Sequence, residues 1–149
     1  MTEWQLTIDC WEPQVLVPFW VELLGYVPAP APDGHHTWND WYRSLGVPAE
    51  ELDPESDGTD RIVDPQGRGP RIWFQWVPEE KSIKNRLHID VFVGGDRDDP
   101  IDVRRDRVEG RVVELQALGA GVVKRHDEPL EGHYHVIMAD PEGNEFCLT

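Results

Sequence analysis

Leu6-Thr7-Ile8-Asp9 returns as Leu87-His88-Ile89-Asp90, and the reading of that echo decides the fold. Leu24-Gly25, at the close of the first helical stretch, returns as Leu118-Gly119. Asp64-Pro65-Gln66-Gly67 returns as Asp140-Pro141-Glu142-Gly143, followed each time by a strand-like segment. Three landmarks repeated in one order indicate two similar modules. Two copies at so long a period are too few for a solenoid. The expectation is one domain over 1–149, with module one at about 4–77, a linker at about 78–85 and module two at about 86–149. A site is expected between the modules.

A chain of 149 residues with 39% hydrophobic content and seven Trp can bury a core without disulfide staples. The formal net charge of −15 repels phosphate backbones and anionic lipid, which argues against nucleic acid and membrane surfaces as partners. No run is apolar enough to span a bilayer, and the first residues lack a basic-then-apolar leader pattern. A cytoplasmic location is expected. Strand alternation puts Cys10 on the core face and Cys147 on the opposite face, so a bridge between them fails on geometry.

Leu6, Ile8 and Cys10 alternate with polar neighbours, the period of a half-buried strand. Pro13 suits a first helical turn, Val15, Leu16, Phe19, Trp20, Leu23 and Leu24 follow at helical spacing, and Gly25 suits the stop. Residues 27–60 are irregular, with a short helix expected over Asn39–Leu45, a further turn at Ala49–Leu52 and a poorly defined strand between 34 and 41. Strands are expected at 62–64 and 71–77, with Trp76 inward. In module two, Leu87, Ile89 and Val91 are expected inward, with a helix from about Val103 to Leu118 and strands near 121–125, 133–139 and 145–149. Each module therefore reads β-α-β-β-β, an α+β class.

The face opposite the helices would carry Thr7, Asp9, Arg71, Trp73, Gln75, His88, Asp90, Glu145 and Cys147. A set this polar belongs on an accessible concave surface, the default place for a small-molecule site. His88 and Asp90 share a strand face, so the carboxylate can set the tautomer of the imidazole for acid–base work. His133 and His135 also share a face, but both faces of that strand are mixed and neither is assigned. Trp73 is placed to stack a planar ligand, while Trp38 and Trp41 read equally well as a pocket lid or as edge packing. Gly94-Gly95 opens an acidic loop, the wrong charge for a phosphate cradle. No Ser or Cys nucleophile has a matched base at readable spacing.

Lys84-Asn85-Arg86-Leu87-His88-Ile89-Asp90 and Asp140-Pro141-Glu142-Gly143-Asn144-Glu145-Phe146, with Gly69–Gln75 and Gly132-His133-Tyr134, make the chain resemble the vicinal oxygen chelate superfamily over its whole length. That superfamily holds glyoxalase I, bleomycin-resistance proteins and extradiol dioxygenases, and the likeness is greatest to its glyoxalase-like branch. The resemblance implies paired βαβββ modules in an open curved barrel around a cleft, a small-molecule ligand, and a homodimer. It also implies one metal ligand from the first and one from the last strand of each module, which here gives His88 and Glu145. By the repeat, Thr7 matches His88 and Arg71 matches Glu145. Thr is a poor ligand and Arg opposes a cation. A divalent ion (Zn, Ni, Mn, Fe or Mg) is the implied cofactor, yet two suitable donors of four favour no tightly held one.

The expected activity is that of a lyase or isomerase working by proton transfer. Glu145 or Asp90 would be the base, His88 a ligand or proton partner, and Arg71 the stabiliser of an enolate-like charge, with Trp73, Gln75, Thr7, Asp9, Trp38 and Trp41 binding substrate. Arg71 is also expected to pair with Glu145 or Asp90. The alternative is a non-catalytic binder that sequesters a compound, as resistance proteins of this superfamily do. It needs the aromatics but no poised base.

Overall fold

The computed structural model describes residues 2–54, 56–128 and 132–149. The chain divides into two compact units, 1–80 and 81–149. In the first, β1 (Gln5–Cys10) leads to α1 (Pro13–Leu24), a two-residue β2 (Val27–Pro28), α2 (Trp38–Ser44), β3 (Arg61–Val63) and β4 (Arg71–Trp76). In the second, β5 (Ile89–Val91) leads to α3 (Ile101–Ala117), β6 (Gly121–Glu128), β7 (His133–Ala139) and β8 (Glu145–Leu148). The sheets run β1-β4-β3-β2 and β5-β8-β7-β6. In each, the module's first and last strands lie parallel and the other pairs are antiparallel. These are two open, four-stranded mixed sheets with helices, built to one plan.

Each sheet buries the side that faces its helix. In the first unit Leu16, Phe19, Trp20 and Leu23 of α1 are buried together with Ile62, Ile72 and Phe74 of the sheet. In the second, Val108, Val112 and Leu115 recur at helical spacing on α3 and meet Tyr134, Val136 and Met138 from alternate positions of β7. Gly25 ends α1 at φ 67°, a left-handed stop that suits a residue without Cβ.

Four expectations are corrected. The second strand of module one is Val27–Pro28, not a stretch within 34–41. Thr37 explains why: its Oγ1 accepts the Asp40 N–H at 3.0 Å and starts α2 at Trp38. Trp76 is 59% exposed rather than core, because it ends β4 beside Cys10 and stands at the mouth of α1. Leu87 is 83% exposed because β5 begins only at Ile89.

The fourth correction concerns the repeat itself. Gln5 is the register partner of Arg71 on β4, and Ile89 is the partner of Phe146 on β8. Carried one residue back, the second register sets His88 level with Glu145. The hairpins agree: Ala139 pairs with Glu145, and the Arg61–Trp73 and Ile62–Ile72 pairs extend to Val63 and Arg71. Arg71 therefore does match Glu145, but the residue matching His88 is Gln5, not Thr7. The sequence echo is two residues out of step with the ladder.

The hairpin turns are held by their aspartates. Asp140 is buried, and its carboxylate accepts the N–H groups of Glu142 and Asn144 at 3.0 and 2.9 Å and the Asn144 side-chain amide. Asp64 does the same for Gln66, Arg68 and Gly69, and this hydrogen bonding, led by the Gln66 amide, holds its carboxyl below the usual range. Asp140→Ala is expected to cost about 2 kcal/mol, the penalty for stranding buried backbone donors. Urea unfolding measures it, and a loss under a few tenths would show that the turn holds without the carboxylate.

Candidate functional site

β5 and β8 lie side by side and bring together residues far apart in the chain. Asp90 is the direct register partner of Cys147. His88 Nδ1 lies 3.2 Å from Asp90 Oδ1 and 3.7 Å from Cys147 Sγ. The three donor atoms all fall within 4.8 Å of one another. His88 and Asp90 are open to solvent, whereas Cys147 is 7% exposed, so the group has an accessible rim and a buried floor.

Burial pushes the Cys147 thiol up to about 11, with the Asp90 carboxylate adding to the effect. The thiol is therefore protonated at neutral pH and is not an activated nucleophile, although the structure does give it the imidazole neighbour that the sequence reading lacked. Cys147 is also the residue that reading missed as a site member. Its signal was present, since the alternation already set it on the face of Glu145, His88 and Asp90.

Glu145 takes Lys84 as its cation, Nζ to Oε2 at 2.8 Å, where Arg71 had been expected. That hydrogen bond holds the Glu145 carboxyl below its usual range, opposed by desolvation and helped by the charges of Lys84, Lys81 and His88. The two donors implied by the resemblance thus have different company, Glu145 with Lys84 and His88 with Asp90 and Cys147. An imidazole nitrogen, a carboxylate oxygen and a thiol sulfur make a donor set that fits a borderline ion such as Zn²⁺.

His133 and His135 also find their face. Ile137 pairs with Cys147, and alternation along β7 carries the side of Ile137 to His135 and His133. They share the side of Asp90 and Cys147, opposite α3.

The candidates from the first module have other partners. Thr7 and Asp9 are exposed on β1, Arg71 is exposed at the start of β4, and Gln75 is half-buried. Trp73 donates its indole N–H to Asp60 Oδ2 at 2.8 Å, and the Arg61 guanidinium lies 5.0 Å from its ring and 4.6 Å from the Trp38 ring. Trp38 is buried, with its indole N–H on the Ala29 carbonyl at 2.8 Å. Trp41 packs edge-on against Trp38 at 5.5 Å. These aromatics hold the insertion around Arg61 and Asp60. Trp11 and Trp76 instead border a cavity of about 640 Å³ lined also by Tyr42, Val47, Leu52 and Glu51.

A family model described as a glyoxalase-like domain matches residues 5–149. No curated protein matches the chain. Among solved structures, a glyoxalase/bleomycin resistance protein/dioxygenase family enzyme from Burkholderia phytofirmans is 17% identical, with 97% of this chain and 94% of that chain covered and a TM-score of 0.54. A member of the same superfamily from Sphaerobacter thermophilus is 17% identical over 99% and 95%, TM-score 0.53. A variant of the fosfomycin resistance protein FosX from Listeria monocytogenes, complexed with Mn(II) and 1S,2S-dihydroxypropylphosphonic acid, is 10% identical over 97% and 85%, TM-score 0.57. At these identities the likeness shows the fold. No helix among the described residues is long and apolar enough to cross a membrane.

Two measurements check the electrostatics. Because Lys84 depresses the Glu145 pKa in the folded protein, the pair stabilises the fold above the ordinary carboxylate range, and this contribution is lost as pH falls through the depressed value. In Lys84→Met the Glu145 carboxyl should titrate higher by carbon NMR, and its stability deficit against the parent should close in acid. A thiol reagent at pH 8 should modify Cys147 far more slowly in native protein than in denatured protein. Equal rates would refute the buried, raised thiol.

Proposed function

The chain belongs to the glyoxalase-like domain family, and on that footing we propose that it is a small-molecule enzyme which moves a proton on a small oxygenated substrate at the face where β5 meets β8. The observation that carries this reading is the convergence of His88, Asp90 and Cys147. The Asp90 carboxylate, with Oδ1 3.2 Å from His88 Nδ1, favours a proton on that nitrogen, which leaves Nε2 to take and return a proton. Glu145, held ionised by Lys84, is the weaker base and serves to position that lysine. The Lys84 ammonium supplies positive charge for an oxygen that becomes negative as the proton leaves. A divalent ion, when bound by His88, Asp90 and Cys147, would add Lewis acidity at the same oxygen. Cytoplasmic residence and assembly as a homodimer belong to the same proposal, and light scattering tests the second.

A binding role has one observation in its favour. The cavity beside Trp11 and Trp76 carries indole surface, 48% and 59% exposed, next to Val47, Leu52 and the carboxylates of Glu51 and Asp60, a lining that can hold a flat organic compound without a catalytic base. That reading is the sequestering protein of the resistance kind.

Turnover of methylglyoxal–thiol adducts and small diacids, with a thermal-shift screen of aromatic compounds, separates the two. The enzyme reading expects His88→Ala to cut turnover about 100-fold or more with the melting temperature kept, and Asp90→Asn to fall between the two. Turnover unchanged in His88→Ala would sink it. Stabilisation by an aromatic compound with no turnover, abolished by Trp76→Ala, would establish the binder.

A further inference from the structure

His126, His133 and His135 are three of the six histidines in the chain, and all three stand on one face of the β6–β7 hairpin. His133 and His135 lie two apart on β7, so their side chains project together. His126 on β6 is the direct cross-strand partner of His135. The rings are in contact. His135 Nδ1 lies 3.1 Å from His133 Nε2, and the His126 ring stacks on the His135 ring at 4.5 Å with 11° between planes.

A contact of 3.1 Å between two imidazole nitrogens requires one of them to be bare, since two N–H groups would collide. It is also a coordination edge. Two nitrogens each about 2.0–2.1 Å from one ion stand roughly 2.9–3.4 Å apart in octahedral or tetrahedral geometry. The neighbouring pair therefore already has the spacing that a shared ion needs.

We propose that His126, His133 and His135 form a binding site for a borderline divalent transition metal ion, with Zn²⁺ the natural occupant. Two histidines at alternate positions of one strand and a third across the ladder give three neutral nitrogen donors and leave a fourth position open. The ion replaces the proton now shared between His133 and His135. His126 must turn out of its stack, because parallel rings aim their lone pairs side by side and not at one point. Glu128, the direct partner of His133, projects from the same face and offers a carboxylate to orient a ring or fill the fourth position. The formal charge of −15 raises the local concentration of cations.

This site lies on β6 and β7, whereas the His88 group lies on β5 and β8, and it stands or falls independently of the proposed activity. The test uses tag-free, chelator-treated full chain titrated with Zn²⁺ by calorimetry and with Co²⁺ by absorption. The ion at the three histidines should bind without a sulfur-to-cobalt charge-transfer band, and any second ion at the Cys147 group would be told apart by that band. His135→Ala and His126→Ala should each weaken binding at the histidines by about 100-fold or more, beyond the usual cost of losing an outer-shell partner. Cys147→Ser should leave it unchanged. Should His135→Ala fail to fold by circular dichroism, His133→Ala at the exposed end of the strand gives the same reading. Absence of binding, full affinity in the histidine variants, or binding that carries the sulfur band and vanishes in Cys147→Ser would each overturn the proposal. The last result would place the ion at His88 instead.

Discussion

Two aspartates hold the geometry on which the rest depends. A hairpin can close in several registers, and a slip of one residue would turn every side chain of β4 or β8 to the wrong face. Asp64 and Asp140 remove that freedom by accepting successive backbone N–H groups of the turn that follows them. Once the turn is set, Glu145 opposes Ala139, and the parallel pairing of β5 with β8 sets Cys147 against Asp90 and His88 level with Glu145. The candidate site joins His88 and Asp90, neighbours on one face of β5, to Cys147 on β8, 59 positions beyond His88.

The plan of the fold was readable because period and punctuation are local. Alternation along β1, β4 and β7, helical spacing in α1 and α3, and Gly25 at a stop are each decided within a few residues. Pairing register is decided by two distant segments and one turn length. The turn after Asp64 carries two residues more than the turn after Asp140. Matching Arg71 to Glu145 allows for those two residues on β4, but no local signal shows that β1 is offset as well. Gln5 therefore went unnoticed and Thr7 stood in its place. Leu87 and Trp76 failed for a related reason. Their apolar character fits the period, but nothing local says where a strand stops having a helix above it.

The insertion shows the same limit in another form. Its aromatics suggested a ligand platform, yet Arg61 lies between Trp38 and Trp73, and Asp60 takes the Trp73 indole N–H, the Tyr42 hydroxyl and the Arg61 guanidinium. Asn39 is buried and donates to the carbonyls of Asp53 and Ser56, both at 2.8 Å, which ties down the acidic loop. Composition alone cannot separate an aromatic cluster that waits for a ligand from one that already holds an arginine. Trp11 and Trp76 lie outside that cluster and line the cavity beside α1.

The two-residue offset between echo and ladder changes which exposed groups can meet. Each residue advances a strand by about 3.3 Å, so a two-residue offset moves a side chain by roughly 6.6 Å along the same face. That distance exceeds any hydrogen bond or metal–ligand bond. Because the step is even, every buried side chain keeps its face while each exposed group meets a new cross-strand neighbour, so the polar faces of the two modules can differ without any change in the core.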